Sequence, residues 1–176
     1  MFPMLRQIFR TGLVSEAAPE ADERLRITTQ RLSDAMLKQL GRALVIRHID
    51  AGSCNGCEIE IHALNNPYYN LEAIGIKFAA SPRHADLLLV TGPVAKNMEV
   101  ALKRAYDATP EPRLVVAVGD CGCTGGLFGE SYASCGRIAN VIPVDVAIPG
   151  CPPTPLQLMQ GILAALQPAA REPSVP

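Results

Sequence analysis

The sequence predicts an α/β fold: a doubly wound, flavodoxin-like and mostly parallel sheet with helices on both faces. Three observations lead to this prediction. Strand-like and helix-like segments alternate along the chain, the strand-like segments are rich in Val, Ile and Leu, and runs such as 85–90 and 114–118 do not alternate between apolar and polar residues. Strands of that kind are typical of a parallel sheet that is buried on both faces.

The same patterns place the individual elements in chain order. The prediction is a strand at 43–48, a helix from about Glu58, strands at 74–79 and 86–91, a helix at 97–106, strands at 114–118 and 144–148, and a helix at 155–166. A cysteine-bearing turn follows the first strand, and a long glycine-rich loop follows strand 114–118. The sequence has no internal repeat.

Segments outside the alternating pattern divide the chain. Near the N-terminus, Leu5, Ile8 and Phe9 share one helical face beside two arginines, which predicts an amphipathic docking helix; packing of this face on its own domain is the alternative. An acidic, alanine-rich stretch with a proline follows and predicts a linker. The predicted divisions are a docking segment at 1–14, a linker at 15–29, the α/β domain at 30–167 and a proline-rich flexible tail at 168–176.

Composition excludes several classes of function. The 176 residues include 16 Lys and Arg against 17 Asp and Glu, so the strongly basic field of a nucleic-acid-binding protein is missing. No apolar run approaches the roughly 18 residues that a transmembrane helix needs. The first residues lack the continuous apolar stretch and cleavage site of a signal peptide. We therefore expect a cytoplasmic protein without nucleic-acid partners.

Four of the six cysteines follow predicted strands. Cys54 and Cys57 come after the first strand, Cys121 comes three residues after strand 114–118, and Cys151 comes three residues after strand 144–148. Because the carboxyl ends of parallel strands meet at one edge of a sheet, we expect these four thiols to lie together. Four thiolates from three loops suit a soft metal site, either tetrahedral zinc or a [4Fe–4S] cluster.

Alternatives to this ligand set remain open from the residues alone. A single Cys-x-x-Cys pair also fits a thioredoxin-like dithiol, but Cys121 and Cys151 at matching strand ends favour a metal. Structural zinc sites usually present two close pairs of ligands, whereas this chain presents one pair and two single cysteines, which favours the cluster. Cys123 is an alternative to Cys121, and Cys135 is expected to be a small buried side chain.

Four segments carry a family resemblance: 52–60 (GSCNGCEIE), 81–93 (SPRHADLLLVTGP), 119–126 (GDCGCTGG) and 143–155 (PVDVAIPGCPPTP). Together they resemble the family that contains the complex I 20-kDa subunit and the small subunits of membrane-bound, energy-converting [NiFe] hydrogenases, and the resemblance extends over residues 43–166. The Cys-x-x-Cys pair is similar to the hydrogenase branch, including formate hydrogenlyase, whereas respiratory complex I has adjacent cysteines. The resemblance implies cluster ligands at Cys54, Cys57, Cys121 and Cys151 and none at Cys123 or Cys135.

The resemblance also implies a function. It implies an electron-transfer subunit, not catalytic alone, whose single [4Fe–4S] cluster lies proximal to the [NiFe] site of an energy-converting hydrogenase. The implied partners are a [NiFe]-type large subunit, a ferredoxin-like iron–sulfur subunit and membrane-embedded ion-pumping subunits, which hold the chain at the cytoplasmic face of the inner membrane. The alternatives are a complex I-type subunit that passes electrons to quinone and a zinc-stabilised interaction module.

Two acidic residues follow the second cysteine of the pair. Glu58 and Glu60 point about 200° apart on a helix, so at most one can face the cluster. Glu60 matches a glutamate in both branches of the family, which implies a role in proton transfer or partner contact; a glutamate favoured by the helix dipole is the alternative. Arg83, in the loop before strand 86–91, is expected to tune the electrostatics of the site.

Overall fold

The computed structural model describes residues 2–12 and 22–167. The α-helices in these residues are α1 (Phe2–Thr11), α2 (Glu23–Gln39), α3 (Gly56–Ala63), α4 (Lys96–Ala108), α5 (Gly119–Thr124) and α6 (Pro155–Ala165). The strands are β1 (Leu44–Asp50), β2 (Ile76–Phe78), β3 (Leu87–Thr91), β4 (Leu114–Val118) and β5 (Val146–Ile148). Short 3₁₀ turns cover Leu71–Ile74, Pro82–His84 and Ile138–Asn140.

The five strands form one parallel sheet in the order β2-β1-β3-β4-β5. This is the flavodoxin-like strand order, so the predicted sheet topology is confirmed. In this topology the chain leaves β1 at the point where the strand order reverses, which is where parallel α/β sheets place their ligands.

Apolar side chains cover both faces of the sheet, as predicted. Along β3, Leu87 and Leu89 face one core, while Leu88 and Val90 face the other, and none of these four side chains reaches water. The first core is closed by α2, α3 and α6, and the second by α4 and residues 138–142. Burial on both faces explains why the strands are apolar at successive positions.

The structure corrects the predicted linker at 15–29. Residues 23–29 are the first turns of α2, which begins where the Asp22 side chain accepts a hydrogen bond from the Arg24 amide at 2.9 Å. Thr28, Leu32 and Met36 recur on one face of α2 and are buried there, and α2 packs against α6. Because Thr28 is polar and charged residues surround these positions, the sequence shows no clear apolar stripe here.

Other predictions differ at element boundaries or lie outside the described residues. Strand 74–79 is reduced to Ile76–Phe78 because Gly75 ends a 3₁₀ turn in the left-handed region, with φ of 88°. The predicted glycine-rich loop contains α5. Residues 13–21 and 168–176 lie outside the described residues, as therefore do residues 15–21 of the predicted linker and the predicted tail. No helix within residues 2–12 and 22–167 has the length and apolar character needed to cross a membrane.

Candidate metal centre

Four strands end in one row at the carboxyl edge of the sheet. Asp50 pairs with Thr91, Thr91 with Val118, and Val118 with Ile148, so β1, β3, β4 and β5 finish at the same level. The segments that follow β1, β4 and β5 carry the four cysteines predicted as ligands. The register of the sheet therefore brings these three segments out on one side of the molecule.

The first segment is folded by hydrogen bonds from its own side chains. One carboxylate oxygen of Asp50 accepts hydrogen bonds from the amides of Gly52 and Ser53, both at 2.8 Å, and the Ser53 hydroxyl accepts one from the Asn55 amide at 3.1 Å. Asn55 then adopts the left-handed conformation and precedes the first residue of α3. This turn places Cys54 before the helix and Cys57 in its first turn.

The second and third segments are joined through Asp120. Its amide donates a hydrogen bond to the Gly150 carbonyl at 2.8 Å, and its carboxylate accepts one from the Gly150 amide at 2.8 Å. Both residues lie directly before a candidate ligand. The two hydrogen bonds therefore fix the positions of Cys121 and Cys151 relative to each other.

Two glycines allow the cysteine sulfurs to approach the backbone closely. Gly119 has φ of 80°, and a Cβ added there would lie 2.6 Å from the Cys57 sulfur. A Cβ on Gly126 would lie 2.8 Å from the Cys121 sulfur. Because Cβ atoms do not approach sulfur so closely, larger residues at either position would displace a candidate ligand.

Electrostatic effects show that the four thiols are neighbours. Burial raises the pKa of Cys57 to about 12, and Glu58 and the thiols of Cys54, Cys121 and Cys151 contribute to this rise. Burial also raises the pKa of Cys121, again with contributions from Cys151 and Cys54. Thiols in such surroundings ionise only with a compensating positive charge, which a bound metal centre provides.

The four cysteines match the donor set of an iron–sulfur cube. Within the described part of the chain, no three His, Cys, Asp or Glu side chains converge closely enough to hold one metal ion. A [4Fe–4S] cube is bound through four cysteines, one to each iron, so its ligands stand further apart than those of one zinc ion. Four neighbouring cysteine thiols supply the number and type of ligands that such a cube needs.

The two remaining cysteines are engaged elsewhere. The Cys123 thiol donates a hydrogen bond to the Ala117 carbonyl at 3.6 Å, and burial raises its pKa to about 11. Cys135 is buried, as predicted, and its thiol donates to a carboxylate oxygen of Glu99 at 3.4 Å. Both side chains pack against the second core rather than among the four neighbouring thiols.

Of the two glutamates after Cys57, the structure buries Glu58. This residue is only 5% exposed, and neither carboxylate oxygen has a hydrogen-bond partner among the described residues. Glu60, the residue chosen from the sequence, is half-buried; burial raises the pKa of Tyr69, and the charge of Glu60 adds to this rise. Sequence reasoning therefore missed Glu58, because the burial of one side of α3 depends on how the helix meets β1.

His48 on β1 lies beside Glu58. Its Nε2 atom lies 3.7 Å from a Glu58 carboxylate oxygen and 3.2 Å from the Thr91 hydroxyl. Burial lowers the pKa of His48, and the opposing effects of Glu58 and Asp50 are smaller. The imidazole is therefore neutral near pH 7, and the contact with Glu58 is not an ion pair at that pH.

The position of Arg83 contradicts its predicted role. It lies in the 3₁₀ turn Pro82–His84, just before β3 begins, and it lines a cavity with Arg42 and Pro110. This is the amino edge of the sheet, whereas the cysteines lie at the carboxyl edge. The whole length of β3 separates Arg83 from the thiols, so it does not tune their electrostatics at close range.

A loop beside the thiols exposes large apolar side chains. Leu127 is 95% exposed and Tyr132 is 99% exposed, and Phe128 between them is also exposed. The loop begins directly after α5, which carries Cys121. Large apolar side chains grouped on a surface are typical of contact with another protein.

Comparisons with known proteins identify relatives of the chain. Probable membrane-bound hydrogenase subunit mbhJ of Pyrococcus furiosus is 44% identical over 136 residues, which cover 77% of this chain and 81% of the relative. Formate hydrogenlyase subunit 7 of Escherichia coli is 44% identical over 132 residues, 75% of this chain; these cover 52% of the relative, so this chain spans about half its length.

One solved structure and one family model also match the chain. A chain in the structure of the membrane-bound sulfane sulfur reductase, an archaeal respiratory membrane complex, superposes with a TM-score of 0.63 at 33% identity, covering 77% of this chain and 73% of that chain. The model of the family described as NADH ubiquinone oxidoreductase, 20 Kd subunit, matches residues 54–165. This match includes all four neighbouring cysteines and most of the α/β domain, and the chain therefore belongs to the NADH ubiquinone oxidoreductase 20 Kd subunit family.

Proposed function

We propose that this chain is the electron-transfer subunit of a membrane-bound energy-converting hydrogenase and carries the single [4Fe–4S] cluster proximal to its [NiFe] site. The ligands are Cys54, Cys57, Cys121 and Cys151. The observation that carries this proposal is the grouping of these four thiols at the carboxyl edge of the sheet. When bound, such a cluster supplies one-electron transfer.

The chain's own residues position the ligands and control their protonation. Asp50 and Asp120 fix the three ligand segments through hydrogen bonds to backbone amides. Since burial and neighbouring groups raise the pKa of Cys57 to about 12, this thiol must release a proton when it becomes a ligand. Loading of the site is therefore coupled to proton release and is favoured as the pH rises.

The proposed partners follow from the relatives and from the exposed loop. One relative is named as a subunit of a membrane-bound hydrogenase and another as a subunit of formate hydrogenlyase. By analogy, we place a [NiFe]-type large subunit, a ferredoxin-like iron–sulfur subunit and membrane-embedded ion-pumping subunits around this chain, at the cytoplasmic face of the inner membrane. Leu127, Phe128 and Tyr132 offer an apolar surface to one of these proteins.

Glu60 is proposed to act in proton transfer or partner contact. It is half-buried on α3, one turn from Cys57. Replacement by glutamine keeps the size of the side chain and removes its charge and its exchangeable acidic proton. In the assembled complex, Glu60→Gln should lower hydrogen evolution while iron content and the visible spectrum stay as in the wild type; unchanged hydrogen evolution would assign Glu60 a structural role only.

A second function is favoured by the name of the family itself. The family model describes a subunit of NADH ubiquinone oxidoreductase, so a complex I-type subunit that passes electrons to quinone is the alternative. The Cys-x-x-Cys spacing of Cys54 and Cys57 resembles the hydrogenase branch and supports the first proposal.

The cluster can be tested on the full chain purified without oxygen. We expect a brown protein with about four iron atoms per chain. Replacing Cys54, Cys121 or Cys151 by serine should abolish the visible absorption, whereas the matched control Cys135→Ser should retain it. A colourless protein that contains zinc would support the interaction module and overturn the cluster proposal.

The choice between hydrogenase and quinone reductase needs the assembled complex. We expect the complex purified through this chain to contain nickel and to evolve hydrogen from a reduced dye. Material that lacks nickel and reduces a quinone would instead support the complex I-type function.

A further inference from the structure

Helix α1 lies outside both cores of the α/β domain. Every residue from Pro3 to Gly12 is exposed to solvent. Phe9 is 85% exposed and Met4 is 73% exposed, and Leu5 and Ile8 beside them are also exposed. The alternative that this apolar face packs on its own domain therefore does not describe the structure, and the face is unpartnered among the described residues.

Helix α1 is strongly amphipathic. At 3.6 residues per turn, Met4, Ile8, Leu5 and Phe9 fall within an arc of about 140°. Arg6 and Arg10 lie together just beyond one border of this arc, and Gln7 and Thr11 complete the polar side. A border of arginines beside large apolar side chains is the arrangement of helices that lie in a membrane interface.

The charge of α1 indicates the kind of surface that it meets. The helix contains two arginines and no acidic residue, although the chain as a whole has a net charge of −1. The segment that follows is acidic, with Glu16, Glu20 and Asp22. Within residues 1–22 the positive side chains are thus confined to α1, and an anionic surface attracts α1 while repelling the segment behind it.

We infer that α1 binds the anionic surface of a lipid bilayer, with Met4, Leu5, Ile8 and Phe9 in the boundary between headgroups and acyl chains and Arg6 and Arg10 at the phosphates. The helix is about 15 Å long, which suits a position in the plane of the membrane. This direct lipid contact adds to the attachment through partner subunits proposed above, and it does not depend on the cluster.

The chain between α1 and α2 is long enough to permit this contact. Nine residues, 13–21, separate Gly12 from Asp22. Fully extended, such a segment spans at most about 35 Å. The α/β domain can therefore remain in water while α1 lies in the bilayer surface, and lipid binding requires no change in the cores.

Binding can be measured with the full chain and vesicles of defined lipid. The sequence contains no tryptophan, so Phe9→Trp introduces a single fluorophore in the apolar face. We expect its emission to shift to shorter wavelength with vesicles of mixed phosphatidylglycerol and phosphatidylcholine. Vesicles of phosphatidylcholine alone should produce a weaker shift, and added salt should reduce the shift on the anionic vesicles.

Variants separate the apolar and the charged contributions. In vesicle flotation, Ile8→Ser combined with Phe9→Ser should lower the partition coefficient at least about tenfold. Arg6→Gln combined with Arg10→Gln should lower it about thirtyfold on anionic vesicles. Leu37→Ser, which removes an exposed apolar side chain outside α1, is the matched control and should bind as the wild type does. Far-UV circular dichroism verifies that each variant is folded.

Three results would overturn the inference. The wild-type chain could fail to float with anionic vesicles, the Ile8 and Phe9 variant could float as well as the wild type, or the tryptophan emission of the Phe9→Trp variant could shift only in the detergent-solubilised complex without lipid. The last result would assign the apolar face to a protein partner. A Cys54→Ser variant without iron should still bind vesicles, so failure of the cluster proposal and failure of this inference are distinguishable.

Discussion

At the scale of single residues, Asp120 links two of the three ligand segments. Its carboxylate accepts a hydrogen bond from the Gly150 amide and its own amide donates to the Gly150 carbonyl, so it controls the separation of Cys121 and Cys151. Asp120→Ala removes the side-chain hydrogen bond, at a cost in stability of about 1–2 kcal/mol, and lets the two segments separate. We therefore expect this variant to lose iron to a chelator faster than the wild type does. The decay of the visible absorption measures this loss.

The matched control for this prediction is Asp120→Asn. Asparagine has the same shape and keeps a carbonyl oxygen that can accept a hydrogen bond from the Gly150 amide. Iron loss from Asp120→Asn should therefore be close to the wild-type rate. If both variants lose iron equally fast, the negative charge of Asp120 matters and the positioning hydrogen bond does not.

Gly119 controls how closely the backbone approaches Cys57. A methyl group at this position would lie 2.6 Å from the Cys57 sulfur, so Gly119→Ala should displace the sulfur and reduce the iron bound per chain. Gly129 also has a positive φ, of 52°, but a Cβ there has nothing within 4 Å. Gly129→Ala thus reproduces the backbone strain without the clash, and normal iron content is expected. Full iron content in Gly119→Ala would contradict the close approach.

Residues of the site differ in how well the sequence predicts them. Cys54, Cys57, Cys121 and Cys151 could be grouped in advance because each follows a strand, and strand ends are visible as apolar runs. The burial of Glu58 could not be predicted, since it depends on the position of His48 across the contact between α3 and β1. These four cysteines remain predicted ligands until iron is measured.

At the scale of elements, α2 is a structural part of the domain rather than a linker. Leu32 is fully buried in the first core, whereas Leu37 on the same helix is exposed. Leu32→Ala should lower the free energy of unfolding by about 2–5 kcal/mol, as is usual for a large-to-small change in a core. Leu37→Ala is the matched control, and urea denaturation should show a change of less than about 0.5 kcal/mol.

Elements were predicted well where apolar residues are continuous in the sequence. They were predicted poorly where tertiary contacts determine whether a segment is helical. Strand β4 was predicted with its observed limits because all five residues, Leu114–Val118, are apolar and buried. Helix α2 was missed since only every fourth residue along its buried face is covered, among many charged ones. Helix α5 was missed because its sequence, GDCGCT, has two glycines and no apolar stripe.

At the scale of the whole molecule, the strand order and the apolar cores on both faces of the sheet were predictable from general rules for parallel sheets. The predicted role of Arg83 beside the thiols conflicts with the same rules. A residue before a strand lies at the amino edge, opposite the thiols. The edge that carries a loop residue thus follows from whether the residue precedes or follows its strand.

The pH dependence of stability is a further property of the whole molecule. Burial lowers the pKa of His48 below the usual 6.5, against the smaller opposing effects of Glu58 and Asp50, while Arg47 and His62 lower it further. The unfolded chain therefore binds a proton more readily, so the contribution of His48 to stability is full above pH 6.5 and declines as the pH falls through the lower folded-state pKa.

Urea denaturation of the full chain without iron, between about pH 7.5 and about pH 5.5, measures this contribution. We expect His48 to contribute no more than about 1.4 kcal/mol per pH unit to the fall in the free energy of unfolding on acidification, the limit for one proton. His48→Gln should flatten the profile, and the control His84→Gln, at an exposed position, should not. An identical slope in His48→Gln and wild type would refute the assignment.

The exposed apolar loop that carries Leu127, Phe128 and Tyr132 affects the solubility of the isolated chain. Exposed apolar side chains tend to associate with other apolar surfaces, including the same loop in another copy of the chain. Chain outside an assembly is therefore prone to aggregate, and a partner subunit that covers the loop, as proposed above, would also keep the chain in solution. Expression of this chain together with such a partner should then yield more soluble protein than expression of this chain by itself.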